Sequence, residues 1–188
     1  MSPFPFIFYL SKLHILIFAQ IRFMEEDIFG INAAPSAVTE ELEERVELII
    51  HKLKFFPEKP KVACITEINP IALSSSRISN SITIAGGLPL ENLAWKELQA
   101  QNPAIIIIML KGYTIQETMT EIHHFITLPH WADLDAVKNN RVYIADSEHY
   151  FETEGEKAID ALEAIAEMIT PKYFNFGFEG KTWIKFEV

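Results

Sequence analysis

The sequence is poor in the residues that mark several common classes of protein. Its 188 residues include a single cysteine, Cys64, so no disulfide can form within the chain. Lys and Arg number 16 against 26 Asp and Glu, the formal net charge is −10, and the basic residues do not cluster. Because contacts to phosphate groups need clustered positive charge, this balance argues against a nucleic-acid-binding protein. Cys64 lies in an apolar strand pattern, which predicts a packed rather than a reactive thiol.

Sequence motifs of common enzymes are missing as well. There is no glycine-rich phosphate-binding loop, no Gly-x-Ser-x-Gly turn and no His-Glu-x-x-His pair. Imidazoles bind transition metals, and four histidines raise a metal hypothesis: His123, His124, His130 and His149. The first two are adjacent, however, and adjacent side chains on a helix point about 100° apart, so they rarely share an ion. The sequence therefore predicts no catalytic residue, no resident cofactor and no metal site.

The N-terminal segment, residues 1–35, is set apart by its strongly apolar and aromatic residues 3–20. No basic residue precedes them, as a secretory signal requires, and Lys12 and His14 interrupt a run already short for a membrane span. A poor signal peptide, a packed hydrophobic helix and a start codon upstream of the true domain all remain open, and the last two are favoured. The sequence is 49% hydrophobic, which leaves enough apolar material for the core of one good-sized domain.

A short apolar run, residues 104–110, is the centre of the predicted fold. Its four consecutive isoleucines, Ile105 to Ile108, are typical of a strand buried on both faces. A helical pattern precedes the run, and a capping box formed by Thr114 and Glu117 begins a helix after it that is expected to run through residue 125. A helix, a buried strand and a second helix in this order predict a parallel sheet covered on both sides.

The rest of the chain fits the same α/β architecture. Residues 61–68 and 141–146 read as further strands, and the aromatic tail at residues 172–188 is expected to pack back on the domain. A long amphipathic helix is predicted over residues 36–56, and the last long helix over residues 155–169. The buried stripe of the first of these helices comprises Val38, Leu42, Val46, Ile49, Ile50 and Leu53.

Three loops follow strands of the predicted sheet. In open parallel sheets, ligands bind beyond the carboxyl ends of the strands. The candidate binding residues are therefore Ser74, Ser75 and Arg77 in the first loop, Lys111, Gly112 and Tyr113 in the second, and His149, Tyr150 and Phe151 in the third. Aromatic faces with a few polar donors suit a large, flat, partly apolar ligand. The alternative, that Tyr150 and Phe151 merely cover the sheet edge, carries equal weight.

The order of several motifs resembles a known family. From residue 61 to residue 173, the chain resembles the C-terminal lobe of the substrate-binding proteins of ABC importers for cobalamin and iron-siderophores, with the cobalamin branch closest. The matching pieces are Ile84-Ala85-Gly86-Gly87, Trp95-Lys96-Glu97-Leu98, Asn102-Pro103-Ala104-Ile105-Ile106, the stretch from Leu128-Pro129-His130-Trp131 to Asn140-Arg141-Val142-Tyr143, Tyr150-Phe151 and Thr170-Pro171.

This resemblance implies a non-catalytic, ligand-binding component of an ABC uptake system, with a corrinoid or a ferric siderophore as ligand and an ABC permease as partner. It implies a three-layer, Rossmann-like lobe over residues 61–188 with a mainly parallel sheet, preceded by the long connecting helix, residues 36–56. Such proteins hold their ligand between two lobes. Residues 1–35 are too few for a first lobe, so we expect half of a clamp, with the other half lost or supplied by another chain. The family resemblance implies a periplasmic location, while the poor signal keeps the cytoplasm open.

Two departures from the family bear on function. Many cobalamin-type relatives have Gly-His-Trp where this chain has the region from Ser74 to Arg77. Relatives also place a transporter-docking glutamate where this chain has Lys96, with Glu97 beside it. The resemblance carries ligand contact over to the loops at residues 111–113 and 149–151. Two other readings stay open: a metal-dependent enzyme using His130 and His149, and an interaction module whose apolar N-terminal segment meets another chain.

Overall fold

A computed structural model describes residues 37–56, 58–74, 76–151 and 156–187. The apolar N-terminal segment, Ser36 and Ser75 lie outside these ranges. The described strands form one sheet in the order β2-β1-β4-β5-β6, with β3 beside the start of β1. Their bounds are Lys61–Ile68 (β1), Ile71–Leu73 (β2), Leu88–Leu90 (β3), Ile105–Ile108 (β4), Val142–Ala145 (β5) and Trp183–Phe186 (β6). Strands β3, β1, β4 and β5 are parallel, while β2 and β6 are antiparallel to their neighbours.

The described helices connect these strands and cover the sheet. They are Ala37–Leu53 (α1), Ser76–Ile84 (α2), Trp95–Gln101 (α3), Ile115–Thr120 (α4), His123–Ile126 (α5), Asp135–Lys138 (α6) and Glu156–Ile169 (α7), with a 3-10 turn at Trp131–Asp133 and a π-helical turn at Ser147–Phe151. None of the helices within the described ranges is long and apolar enough to cross a membrane.

Strand β4 is buried on both faces, as its isoleucines predict. Ile105 and Ile107 pack into a core cluster with α1, α2 and α7, and Ile106 and Ile108 pack into a second cluster on the other face. All four side chains are at most 1% exposed. Because successive side chains of a strand point to opposite faces, an unbroken apolar run requires a layer of helices on each side of the sheet. The α/β fold with a mainly parallel sheet is thus confirmed.

Helix α1 is fixed to the last helix of the chain, α7. Val46 and Ile49 are fully buried between them and the sheet, as the predicted stripe requires, and Val38 has no described side chain. The guanidinium of Arg45 lies 2.6 Å from both Asp160 and Glu163 of α7. Hydrogen bonds to Glu163 and Asp160 raise the pKa of Arg45, so the arginine stays charged. This ion cluster and the apolar contacts bind α1 to the sheet domain.

The aromatic tail packs back on the domain, as expected, and it does so around one buried carboxylate. Glu167 of α7 is 3% exposed. Its side chain accepts hydrogen bonds from the backbone N–H groups of Phe176, Gly177 (2.6 Å) and Phe178 (3.2 Å), and from the indole of Trp183 (3.0 Å). The tail therefore turns around Glu167 before β6 pairs with β5.

Two local features differ from the sequence-based expectation. The helix that begins at the Thr114 capping box does not run continuously through residue 125, because it stops at Thr120 and α5 begins at His123. Thr120 donates to the carbonyl of Glu117, and a ring nitrogen of His123 faces the carbonyl of Thr120, so side chains compete for helix acceptors at this point. The third predicted loop, which contains His149, Tyr150 and Phe151, is instead part of a helical turn over Ser147–Phe151.

The thiol of Cys64 is enclosed by the core, and we predict that it is inert in the folded protein. It is 1% exposed, and burial raises its pKa to about 12. Since the thiolate is the reactive form, we expect labelling by an aromatic disulfide reagent to be at least about a hundredfold slower in buffer than in guanidinium chloride. Labelling at equal rates in the two conditions would contradict the described packing of β1.

Candidate functional site

The second and third predicted loops lie together at the carboxyl edge of the sheet. Strands β4 and β5 are adjacent and parallel, so the chain leaves both at the same edge. The carbonyl of Tyr113, after β4, accepts hydrogen bonds from the backbone N–H groups of Ser147 (3.0 Å) and Glu148 (3.3 Å), after β5. One peptide oxygen thus joins the two loops directly.

The loop after β4 presents its side chains to solvent. Lys111 is exposed, and its backbone N–H donates to the carbonyl of Thr66 in β1 at 3.0 Å. Gly112 has a φ of 72° and open space around the position of a Cβ, so the turn needs its backbone conformation rather than its small size. Tyr113 is 38% exposed. This loop offers a ligand an ammonium group and an aromatic ring.

His149 is held in place by Asp146. The carboxylate of Asp146 accepts a hydrogen bond from the backbone N–H of His149 at 2.9 Å, and both carboxylate oxygens lie 3.1 Å from the Nδ1 atom of the imidazole. A carboxylate only accepts, so Nδ1 carries a proton and Nε2 of the neutral ring is left as an acceptor. The imidazole is 55% exposed, whereas Asp146 is buried. The site therefore offers solvent one oriented nitrogen lone pair.

Two carboxylates lie beside this imidazole, and a third interacts with it electrostatically. Besides Asp146, the carboxylate of Glu148 lies 3.8 Å from Nε2. The third belongs to Glu117, whose pKa is lowered by hydrogen bonds from the backbone and side chain of Thr114, with a smaller electrostatic contribution from His149. The neighbourhood of His149 is therefore rich in carboxylates.

The first predicted loop is not at this edge. Strand β2 folds back along β1, so the backbone N–H of Ser74 donates to the carbonyl of Cys64, in the middle of β1, at 2.8 Å. Ser74 is buried, and its hydroxyl faces that of Ser79 at 3.4 Å. Arg77 is half-buried within α2. The prediction that Ser74 faces a ligand conflicts with this placement, because the short hairpin returns it to the core.

The π-helical turn sorts the third loop into one solvent-facing residue and two packed ones. Phe151 is 5% exposed and belongs to the core cluster, and Tyr150 is half-buried against the same cluster. Of the predicted trio, His149 alone is mostly exposed. Phe151 is thus packed in the core, His149 is the residue of the trio with the most exposed side chain, and ligand contact by the trio stays a prediction.

The other histidines lie elsewhere. His130 pairs with Asp133 at 2.9 Å, and it lines an open cleft of about 420 Å³ together with Asn102. Because Asn102 comes shortly before the start of β4, this cleft lies at the opposite end of the sheet from His149. The rings of His123 and His124 lie closer than expected, with centroids 4.0 Å apart. Within the described ranges, no three His, Cys, Asp or Glu side chains are arranged to hold a metal ion. The enzyme hypothesis needs His130 and His149 together, and the fold separates them.

The proposed docking pair, Lys96 and Glu97, lies in the first turn of α3. Both side chains are exposed, but the carboxylate of Glu97 accepts a hydrogen bond from the backbone N–H of Ala94 at 2.9 Å. Glu97 therefore caps its own helix. A docking role for the pair stays a prediction.

Asp146 and Glu117 lie near His149, and neither was among the candidate residues predicted from the sequence. Asp146 reads as the last residue of a strand, and Glu117 as half of a capping box. The available signal was the spacing: an aspartate three residues before a histidine, directly after a buried strand, is typical of a side chain that caps the following turn.

Comparison with known proteins gives one family match and several structural matches. Residues 77–149 match the family model described as periplasmic binding protein. An ABC transporter substrate-binding protein from Listeria monocytogenes EGD-e has 25% identity and a TM-score of 0.62, covering 71% of this chain and 56% of that one. No curated protein matches significantly.

Two further solved structures share the fold at lower identity. A periplasmic heme binding protein from Pseudomonas aeruginosa has 14% identity and a TM-score of 0.62, covering 80% of this chain and 56% of that one. The S. aureus protein IsdE, solved in complex with heme, has 20% identity and a TM-score of 0.57, covering 71% of this chain and 56% of that one. The chain therefore spans about half the length of the structures that it matches.

Proposed function

Because the chain has the fold of the periplasmic binding proteins and residues 77–149 match their family model, we propose that it is a ligand-binding lobe of an ABC-type uptake system. Its role is to hold a small molecule and present it to an ABC permease, without turnover. The ligand site is the carboxyl edge of β4 and β5, where Lys111, Tyr113 and His149 face solvent.

The ligand class that fits this edge best is a metal tetrapyrrole, either a corrinoid such as cobalamin or haem. The observation that carries this proposal is the imidazole of His149, which is exposed and oriented by Asp146 so that Nε2 can donate a lone pair. Histidine binds the axial position of haem iron in many proteins, and a carboxylate on its second nitrogen raises its basicity. Haem is added to the candidates that the sequence predicts because one structure with this fold is a heme binding protein and another was solved in complex with heme.

A ferric siderophore is the weaker candidate among the ligands that the sequence predicts. A siderophore that fills all six positions of its iron leaves none for an imidazole nitrogen. A tetrapyrrole leaves axial positions open, and its flat apolar ring can lie over an aromatic side chain such as Tyr113. The geometry around His149 thus favours a macrocycle with an open metal position.

A lobe that acts alone contacts its ligand on one side only. Since affinity depends on how much of the ligand is buried and how well the contacts are preorganised, we expect binding in the micromolar range, weaker than in a two-lobed protein. Titrations should therefore extend through micromolar ligand concentrations.

Titration of the purified chain with hemin and with aquocobalamin, followed by the visible absorption spectrum, tests the proposal. We expect a saturable spectral change for at least one of the two, and none with ferrichrome as the saturated siderophore control. His149→Ala should weaken binding about tenfold or more, because it removes the metal ligand.

His124→Ala is the matched control, since it removes another partly exposed imidazole, one that pairs with Glu121 at 3.2 Å and is not among the candidate binding residues. It should leave the titration unchanged. If His149→Ala and His124→Ala bind as the wild type does, the assignment of the ligand to this edge is wrong. If ferrichrome binds and neither tetrapyrrole does, the siderophore alternative replaces it.

A further inference from the structure

The carboxylates around His149 point to a preference that the ligand class alone does not specify. Asp146 places both of its oxygens 3.1 Å from Nδ1, and the carboxylate of Glu148 lies 3.8 Å from Nε2. Asp146 is 8% exposed, so its charge is poorly screened by water. Its backbone N–H donates to the carbonyl of Thr182, beside β6, at 2.8 Å, which fixes the loop behind the imidazole.

We propose that Asp146 and its neighbouring carboxylates make this site select the oxidised metal of its ligand, binding ferric haem more tightly than ferrous haem. The inference rests on the proposed function. Ferric and ferrous haem have the same shape and differ by one positive charge at the iron. Shape complementarity therefore cannot distinguish them, but the charge at the metal can.

Two physical effects act in the same direction. A proton shared between Nδ1 and a buried carboxylate increases the electron donation of Nε2, which stabilises the more electron-poor metal. The negative charges of Asp146 and Glu148 beside the imidazole also attract the additional positive charge of the oxidised state, and Coulomb interactions at such distances are stronger near a protein surface than in bulk water. Asp146 acts through His149 and is a positioning residue; it does not itself touch the ligand.

The two affinities and the reduction potential are linked by a thermodynamic cycle. If the ferric form binds tenfold tighter than the ferrous form, the potential of the bound iron falls by about 59 mV relative to the free ligand, the value for one electron. The preference can therefore be measured in two independent ways. Neither measurement depends on transport.

The test is anaerobic titration with hemin and with hemin reduced by dithionite, together with the potential of the bound iron. For the wild type we expect the ferric form to bind about tenfold tighter or more. In Asp146→Asn, which keeps an oxygen to cap the turn, we expect the ratio to fall about tenfold and the potential to rise by about 59 mV. Glu148→Gln, at a half-exposed position, should change the ratio less.

The variant His149→Ala tests whether Asp146 influences the ferric-to-ferrous affinity ratio through the imidazole. In that background, Asp146→Asn should no longer change the ratio by much, because the imidazole that transmits its influence is gone. A ratio that is the same in the wild type and in Asp146→Asn, with hemin still bound, overturns this inference and leaves the proposed function standing. Failure of hemin to bind in any form overturns haem as the ligand and this inference with it.

Discussion

Replacing Glu167 by alanine is expected to lower the free energy of unfolding by about 3–5 kcal/mol, because the change leaves several buried donors without an acceptor. The side chain of Glu167 accepts from three successive backbone N–H groups, at residues 176, 177 and 178, and from the indole of Trp183. Each buried donor left unpaired costs roughly 1–3 kcal/mol. Part of this cost is offset because the variant no longer buries a charged carboxylate, and because water that enters the space can accept hydrogen bonds from some of the donors.

Urea unfolding of the wild type and the variant, followed by circular dichroism, measures this difference. Glu179→Ala is the matched control, because it makes the same chemical change at an exposed position of the tail, where we expect less than about 0.5 kcal/mol. Glu167→Gln should fall between the two, since an amide retains one acceptor oxygen but places an NH₂ group among donors. Equal stability of Glu167→Ala and Glu179→Ala would mean that the tail does not turn around Glu167.

A second large effect is expected at the central strand. Ile107→Ala should cost about 2–5 kcal/mol, because the lost methyl groups leave a cavity between the sheet and the helices of the first core cluster. Strand β4 is hydrogen-bonded to β1 on one side and to β5 on the other, so the backbone cannot move to fill the space. The loss of stability on truncating a buried side chain depends mainly on how far the surrounding structure can relax into the cavity.

A graded series gives this prediction its control. Ile107→Val should cost about 0.5–1.5 kcal/mol, and Ile126→Ala, at a side chain that is 45% exposed, less than about 0.5 kcal/mol. The same urea experiment orders the variants. If Ile107→Ala costs no more than Ile126→Ala, residue 107 is not at the centre of the core.

The parts of the fold that sequence analysis identified are those set by local periodicity or by caps. Four consecutive isoleucines mark β4, the apolar stripe marks α1, and the pairing of Thr114 with Glu117 marks the start of α4. Strands β2 and β3 have three residues each, which is too short for a period to show. Strand β6 pairs with β5 across a long sequence separation, and such pairing depends on tertiary contacts.

For the candidate site, too, the sequence revealed the features that depend on the parallel sheet and missed those that depend on tertiary packing. The meeting of Tyr113 with the loop after β5 follows from the parallel sheet that the sequence predicted, together with the pairing of β4 with β5, which the structure shows. The burial of Ser74 depends on the return of β2 along β1, and the burial of Phe151 depends on the helical turn after Asp146. In both cases, packing against neighbouring elements decides whether the side chain lies in the core or in solvent. Residue type and position in the sequence therefore did not reveal the burial of Ser74 and Phe151.

The hydrogen bonds to the Tyr113 carbonyl have a consequence for the entropy of binding. Fixing the backbone of one residue costs roughly 1–2 kcal/mol at room temperature. At this edge, the loops after β4 and β5 are already joined to each other, so that cost belongs to folding rather than to binding. A ligand bound at His149, as proposed, would meet backbone already in place, which would partly compensate for the smaller surface that a single lobe can bury.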